Sequence, residues 1–193
     1  MSTFGASDRL GSRPQRIVVV GTSGSGKTTM ARALSAALDV PHTELDALHH
    51  GPGWTVRPTF LQDVQRLADS SAWVTEYQYD QARLLLLARS DLVVVLDFSR
   101  PIVMRRVIAR TVRRSWRREV LWNDNVEPPL RTVLTDPDHV VRWAWRAHGR
   151  SADRIVEIRR ARPDLPVVLL RTPREAERWL RSIGEEQVAD RVE

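Results

Sequence analysis

The segment from residue 16 to residue 38 constrains the fold of this chain more than any other. A β-branched run, Arg16–Val20, is followed by a glycine-rich loop and then by Lys27–Leu38, in which apolar residues recur at helical spacing. The loop reads Gly-Thr-Ser-Gly-Ser-Gly-Lys-Thr from Gly21 to Thr28, which matches the pattern G-x-x-x-x-G-K-[ST]. A strand, this loop and a helix in that order predict a phosphate-binding loop; the competing interpretation is a glycine-rich turn without a ligand.

Lys27 is the only lysine among the 30 basic residues of the chain, and all the others are arginine. Codon composition explains the missing lysines but not the position of the remaining one. A compact ammonium on a flexible stem reaches phosphate oxygens in a way that a planar guanidinium cannot, and Thr28 can give its hydroxyl to a Mg²⁺ ion on the nucleotide. Together with backbone N–H groups and the helix N-terminus, the predicted nucleotide-binding residues are Gly21, Ser23, Gly24, Ser25, Gly26, Lys27, Thr28 and Thr29.

The length of 193 residues suits one compact domain. We expect it to span residues 16–184, with a disordered tail at 1–15 and a fraying tail at 185–193. No apolar run approaches the roughly 20 residues that cross a bilayer, and the first residues lack the apolar region of a secretion signal. The absence of cysteine excludes a disulfide framework, a thiolate metal site and a cysteine nucleophile. The expectation is therefore a cytoplasmic protein without a membrane partner.

Strand and helix patterns alternate along the chain. The candidate strands are Arg16–Val20, His42–Leu45, Ala72–Glu76, Leu92–Asp97 and Pro166–Leu170. The candidate helices are Lys27–Leu38, Pro58–Ala68, Gln81–Ala88, Pro101–Arg118, Pro137–Ala147, Ser151–Arg162 and Pro173–Ile183. Such alternation predicts a parallel sheet with helices on both sides. Ligands gather at the carboxyl ends of the strands of such a sheet, so the residues that follow each strand are candidates for function.

Two acidic residues stand at predicted strand ends. Asp46 follows the second candidate strand, where it can bind an acceptor hydroxyl, help to hold Mg²⁺ through water, or cap the following turn. Glu76 ends the third strand, where it can orient Mg²⁺-bound water, accept a proton, or form an ion pair with an arginine. Between them, His49 and His50 are interpreted as polar residues of a substrate loop. Trp54 is interpreted either as part of a lid or as a surface tryptophan.

Eight arginines fall between Arg100 and Arg118, and the net charge of the chain is +6. Helical spacing places five of them on one face: Arg106, Arg110, Arg113, Arg114 and Arg117. Such a face is often only a solvated surface. No acidic residue lies in this segment, however, so the like charges repel one another unless an anion is bound. We therefore expect these arginines to neutralise the charge that develops when a phosphoryl group is transferred.

With these motifs in place, the chain resembles the adenylate-kinase-like P-loop kinases, and most of all the small subgroup known as DNA-topology-modulation proteins. The matching stretches are GTSGSGKTT at Gly21–Thr29, ELDALHHGPGW at Glu44–Trp54, WVTEYQY at Trp73–Tyr79, LVVVLD at Leu92–Asp97, NDNVE at Asn123–Glu127 and LRTPREAERWL at Leu170–Leu180. The resemblance implies an α/β P-loop NTPase fold of three layers, with a five-stranded parallel sheet. It also implies ATP with Mg²⁺, and an arginine-rich helical lid at about residues 100–130 whose base Asn125 and Glu127 close.

The resemblance further implies transfer of the γ-phosphoryl group of ATP to a nucleotide or another small acceptor. The catalytic residues would be Lys27, Asp46, Glu76, Arg110, Arg113, Arg114 and Arg117, and the metal ligands would be Thr28 and Glu76. The subgroup has glycine where this chain has Tyr77, so Tyr77 is expected to crowd the acceptor side. Two alternatives remain: a nucleic-acid-binding protein regulated by ATP, and a nucleotide switch or slow ATPase without a diffusible acceptor.

Overall fold

A computed structural model of the protein describes residues 3–5, 8, 10–117 and 140–190. Its sheet is parallel, and four strands form its body: β2 (Arg16–Gly21), β3 (Trp73–Glu76), β4 (Leu92–Leu96) and β5 (Val167–Leu170). The two-residue strand β1 (Thr3–Phe4), which falls in the predicted N-terminal tail, pairs with β5 and extends one edge. The strand order is β1-β5-β4-β2-β3. The parallel α/β sheet predicted from the sequence is confirmed.

The predicted strand His42–Leu45 is wrong, and the sheet therefore lacks one of the five strands expected from the sequence. Only His42 pairs with the sheet, through an isolated parallel bridge to Val74. The chain then leaves the sheet, and a short helix begins at Leu45. The backbone N–H of Leu45 donates to the Glu76 carboxylate at 3.3 Å rather than to a neighbouring strand. Partners outside the segment thus override its local β propensity.

Eight helices are found in the described part of the chain: α1 (Lys27–Leu38), α2 (Leu45–His49), α3 (Phe60–Asp69), α4 (Asp80–Arg89), α5 (Arg100–Arg117), α6 (Val140–Ala147), α7 (Arg150–Ala161) and α8 (Pro173–Asp190). A 3₁₀ turn spans Pro52–Trp54. The sequence predicted all of these helices except α2, and the predicted ends agree within a few residues except at the C-terminal end of α8, which was placed at Ile183. Helix α8 continues into the segment that was expected to fray.

Alternation along the strands divides the core into two halves. Ile17 and Val19 of β2 face one side of the sheet, where residues of α1, α5, α6 and α8 cover them. Val18 and Val20 face the other side, against residues of α2, α3, α4 and α7. Both faces of a parallel sheet are buried in this way when helices cross over on both sides. The three-layer arrangement brings the carboxyl end of β2 next to the first turns of α1 and the flank of α5.

The segment between α5 and α6 lies outside the described residues. It contains the predicted base of the lid, Asn125 and Glu127, and the NDNVE motif. Of the predicted lid at about 100–130, the structure describes the helix up to Arg117. Within the described ranges, every helix is too short or too polar to cross a membrane.

Candidate functional site

The loop between β2 and α1 has the backbone geometry that its glycines predict. Gly24 and Gly26 have φ values of 83° and 95°, in the left-handed region where a Cβ is unfavourable. Gly26 is also the N-cap of α1, so the loop leads directly into the positive end of the helix dipole. A Cβ at Gly24 would lie 2.2 Å from Cγ2 of Val107, because α5 packs directly on the loop.

Lys27 is half-buried at the start of α1, and its Nζ donates to the Thr22 carbonyl oxygen at 3.3 Å. Loss of hydration lowers the pKa of Lys27 to about 8, against the opposing pull of the Asp46 carboxylate. The positive charges of Arg154 and Arg110 lower this pKa, whereas the negative charge of Glu76 raises it. An anion bound in the loop would favour the charged ammonium and would raise the pKa of Lys27 again.

Arginines from two helices converge on the same loop. Arg106 of α5 donates to the carbonyl oxygen of Ser25 at 3.0 Å, and Arg110 contacts the Ser23 hydroxyl at 3.4 Å. Arg154 of α7 donates to the carbonyl oxygen of Gly21 at 3.3 Å. The guanidinium groups of Arg106 and Arg110 therefore turn towards the loop rather than forming an open basic face. This arrangement concentrates positive charge where phosphate oxygens would bind.

Asp46 lies in the first turn of α2, and its two carboxylate oxygens have different surroundings. Oδ1 accepts hydrogen bonds from the Tyr79 hydroxyl at 2.5 Å and from Nε2 of Gln78 at 3.2 Å. No described residue donates to Oδ2. Burial raises the pKa of Tyr79, and the charge and hydrogen bond of Asp46 raise it further, so the phenol stays protonated. Asp46 thus keeps one oxygen for a ligand, while two donors hold the other.

Glu76 is fully buried at the carboxyl end of β3. Its Oε1 lies 3.3 Å from Nε2 of His42, and its Oε2 accepts from the backbone N–H of Leu45. Burial would raise the pKa of Glu76, but hydrogen bonds from His42 and Thr28 and the charge of His42 outweigh it and lower this pKa. The Thr28 hydroxyl, the other predicted metal ligand, therefore acts on the Glu76 carboxylate.

The oxygen atoms of Thr28 and Glu76 suit Mg²⁺, which prefers hard oxygen ligands. No group of three or more His, Cys, Asp or Glu residues in the described ranges could hold a metal ion. A cation at Thr28 would accordingly need further oxygen atoms from phosphate and water, as Mg²⁺ on a nucleotide has. The residues present fit a metal that arrives with its ligand.

Several predicted residues stand apart from this cluster. Thr29 is exposed, and so is Arg113, which makes no hydrogen bond or ion pair with the described residues. Arg114 and Arg117 belong to α5, but their side chains lie outside what the structure describes. The expected crowding by Tyr77 is wrong: Tyr77 is fully buried in the core, and the tyrosine that reaches Asp46 is Tyr79.

The sequence analysis did not single out Arg154, Tyr79, Gln78 or His42 as site residues. Gln78 and Tyr79 follow Glu76 directly, so their position after a buried strand was an available signal. The φ of Tyr79 is 54°, which is unusual for a residue with a side chain and directs its ring towards the loop after α2. Arg154 carried no signal, because one arginine in an arginine-rich helix looks like any other.

The fold and the site define an α/β protein with a glycine-rich loop, of the phosphate-binding sequence pattern, between its first long strand and its first helix. No protein-family model matches the chain, and none of the curated proteins matches it. Among solved structures, it is similar to an unliganded sugar kinase from Janibacter sp. HTCC2649, with 18% identity over 87% of this chain and 91% of the other, at a TM-score of 0.47. A shikimate kinase from Acinetobacter baumannii in complex with shikimate is 17% identical over 93% and 96% of the two chains, also at a TM-score of 0.47. A gluconokinase from Sinorhizobium meliloti 1021 is 20% identical over 92% and 98%, at 0.46. Scores at this level do not assign an activity to this chain.

Proposed function

We propose that the protein is a P-loop kinase that transfers the γ-phosphoryl group of ATP to a nucleotide or another small-molecule acceptor. One observation carries the proposal: the half-buried Lys27 ammonium lies in a glycine loop at a helix N-terminus, within electrostatic reach of Asp46, Glu76, Arg110 and Arg154. Cations placed to bind phosphates and a carboxylate placed to bind an acceptor are the two parts that phosphoryl transfer needs.

The loop residues have separate roles in this proposal. Lys27 and the loop N–H groups would hold the β- and γ-phosphates, and Thr28 with Glu76 would hold Mg²⁺. Bound Mg²⁺ would neutralise part of the charge on the phosphates. Arg106, Arg110 and Arg154 would turn from their contacts with loop oxygen atoms to phosphate oxygens when the triphosphate enters. The further lid arginines Arg113, Arg114 and Arg117 stay predictions from the sequence.

Asp46 would orient the acceptor, since its Oδ2 has no donor among the described residues while its Oδ1 is held by Gln78 and Tyr79. A half-buried, hydrogen-bonded carboxylate that keeps one oxygen open is suited to accept a hydrogen bond from a bound molecule. Membership of the DNA-topology-modulation subgroup and a cytoplasmic location also stay predictions from the sequence.

The direct test combines calorimetry with a coupled assay of ADP release. Purified protein is titrated with a Mg-bound non-hydrolysable ATP analogue, then supplied with MgATP and a panel of nucleosides, nucleoside monophosphates, shikimate, gluconate and simple sugars. We expect nucleotide binding and acceptor-dependent ADP release with at least one compound. ADP release that no acceptor stimulates would favour a slow ATPase or switch, and no binding at all would exclude the proposal.

Two variants of Lys27 sharpen the test. Lys27→Ala should weaken nucleotide binding by about ten-fold or more, because a hydrogen bond to a charged group is lost. Lys27→Arg keeps the charge but not the compact ammonium, so it should not restore binding. Arg66→Ala is the control, because Arg66 is an exposed arginine of α3 that forms an ion pair with Asp63 of the same helix.

A further inference from the structure

The aromatic and imidazole groups beside Asp46 have no role in the proposed function. His49 and His50 end α2, and Tyr79 precedes α4. The Tyr79 hydroxyl contacts Nε2 of His50 at 3.0 Å as well as Oδ1 of Asp46 at 2.5 Å. Nδ1 of His50 in turn lies 3.4 Å from Nδ1 of His49. These contacts form a hydrogen-bond chain of four side chains, in the order Asp46, Tyr79, His50 and His49.

The direction of the hydrogen bonds follows from the number of protons. An ionised carboxylate only accepts, so the single proton of the Tyr79 hydroxyl points to Asp46. The Tyr79 oxygen must then accept from Nε2–H of His50. Neutral His50 with a proton on Nε2 has a bare Nδ1, which accepts from Nδ1–H of His49. In this hydrogen-bond chain from His49 through His50 and Tyr79, every donor therefore points towards Asp46.

Ring packing holds this chain in place. The His49 ring stacks on the Tyr79 ring, with centroids 3.8 Å apart and an angle of 10° between the planes. Phe60 packs edge-on against both rings, with centroid distances of 4.8 Å to His49 and 5.3 Å to Tyr79. The Tyr79 hydroxyl thus cannot swing away from Asp46 without moving its neighbours. Loss of hydration lowers the pKa of His49, which favours its neutral form.

We propose that His49, His50 and Tyr79 are positioning residues that hold Oδ1 of Asp46, leaving Oδ2 to accept a hydrogen bond from the acceptor, and that the acceptor group is therefore a hydroxyl rather than a phosphate. The proposal rests on the proposed function. A hydroxyl has a proton to donate to Oδ2, whereas a phosphate group carries negative charge next to a carboxylate and is repelled.

In the proposed reaction, Oδ2 of Asp46 receives the proton and ADP is the leaving group. The acceptor hydroxyl gives its proton to Oδ2 of Asp46, and its oxygen forms a bond to the γ-phosphorus of ATP. The bond between that phosphorus and the β–γ bridging oxygen breaks, and ADP leaves with the electron pair. Tyr79 keeps its own proton throughout, which distinguishes a positioning residue from a catalytic one.

The tautomer of His50 tests the hydrogen-bond chain without any substrate. Long-range ¹H–¹⁵N spectra separate the two ring nitrogens, and His50→Gln assigns the His50 signals among the five histidines. We expect His50 to carry its proton on Nε2, and we expect Tyr79→Phe to shift the His50 signals whereas Tyr77→Phe does not. A proton on Nδ1 of His50 would overturn the proposal.

Tyr77→Phe is a matched control, because it removes the same hydroxyl two residues away. The Tyr77 hydroxyl is buried and has no hydrogen-bond partner among the described residues, so its removal leaves the Asp46 contacts intact. In Tyr79→Phe the ring stack on His49 can remain while the donor to Oδ1 is lost. Tyr79→Phe should lower kcat/KM for the acceptor by about ten-fold or more, with the dissociation constant of the ATP analogue unchanged. An equal loss of kcat/KM in Tyr79→Phe and Tyr77→Phe would contradict a positioning role for Tyr79.

His50→Gln and His50→Leu provide a rescue test. The glutamine amide can donate to the Tyr79 oxygen from a position close to that of Nε2, whereas leucine cannot. We expect kcat/KM for the acceptor to fall in His50→Leu and to be largely retained in His50→Gln. The same low kcat/KM in both variants would contradict the hydrogen bond from Nε2–H of His50 to the Tyr79 oxygen.

The acceptor class is tested with matched pairs, each nucleoside against its own 5′-monophosphate, together with the sugars and hydroxy acids of the panel. Transfer to hydroxyl compounds is expected, and transfer to a monophosphate at an equal or higher rate would overturn the hydroxyl assignment. If nothing accepts the phosphoryl group but His50 has its proton on Nε2, the proposed function fails while the hydrogen-bond chain stands. The two failures are therefore distinguishable.

Discussion

Arg154 donates a hydrogen bond to the carbonyl oxygen of Gly21 at 3.3 Å, although 133 residues separate them in the chain. Helix α7 thereby places a guanidinium group beside the phosphate-binding loop. Its positive charge acts on Lys27, because it is one of the groups that lower the pKa of that lysine. The contact brings a helix from the second half of the chain to the glycine-rich loop near its start.

We predict that Lys27 titrates near pH 8 and that Arg154→Ala raises its pKa. Loss of hydration lowers this pKa to about 8, and the Arg154 charge adds to the effect. Because the chain has one lysine, selective labelling of lysine gives a single side-chain signal that can be followed through a pH titration. Arg89→Ala serves as the control, since Arg89 pairs with Asp69 at the end of α3. A Lys27 pKa near 10.5 in the unmodified protein would contradict the prediction.

Nucleotide affinity should fall as the pH rises from 7 to 9. With a pKa of about 8, Lys27 is roughly 90% charged at pH 7 and roughly 10% charged at pH 9, and phosphate binding requires the charged form. The dissociation constant of a Mg-bound ATP analogue should therefore rise by about ten-fold over this range. Calorimetry in buffers of different ionisation enthalpy should detect proton uptake at pH 9 and almost none at pH 7. Equal proton uptake at both values would argue against titration of Lys27.

Gly24→Ala should destabilise the fold and disrupt the loop. The new Cβ would meet Cγ2 of Val107 at 2.2 Å, at a φ of 83° that disfavours any side chain. We expect a loss of about 2–4 kcal/mol in the free energy of unfolding, together with loss of nucleotide binding. Gly53→Ala is a matched control, with a φ of 62° and no atom within 4 Å of the added Cβ. It should cost about 1 kcal/mol and leave nucleotide binding intact.

Glu76→Gln should destabilise the protein at neutral pH. In the buried carboxylate, Oε1 contacts Nε2 of His42 and Oε2 accepts from the backbone N–H of Leu45, whereas an amide has only one end that accepts. The expected loss is about 1–3 kcal/mol in the free energy of unfolding, measured by urea denaturation.

The pH dependence of stability gives a second measurement on Glu76. Its pKa is lowered below the usual 4.5, so its contribution is present above that value and is lost as the pH falls through the folded-state pKa. The difference in stability between the unmodified protein and Glu76→Gln should accordingly shrink below about pH 4.5. A difference that stays constant down to pH 3 would mean that the carboxylate charge does not stabilise the fold.

Most of the fold could be predicted because local signals and burial agree. Leu92–Leu96 is apolar throughout and lies in the middle of the sheet, covered on both faces. The prediction of a strand at His42–Leu45 failed because the local sequence preference and the hydrogen bonds to distant residues disagree. The residues of this segment suit a short strand, but its backbone hydrogen bonds to β3 are confined to Val74, which bonds to Pro41 and Thr43, and Leu45 turns to the carboxylate of Glu76. Glu76 lies 31 residues further along the chain, so the local sequence could not predict this hydrogen bond.

The sequence by itself determined the phosphate-binding loop, since Gly24, Gly26 and Lys27 follow from backbone and charge requirements that act within a few residues. It also determined the alternation of strands and helices, because that depends on hydrophobic periodicity. Only the tertiary structure decided which cations reach the loop and which tyrosine reaches Asp46. Arg154 and Tyr79 acquire their positions from packing between elements far apart in the chain, and hydrogen bonds between such elements leave no periodic trace in the sequence.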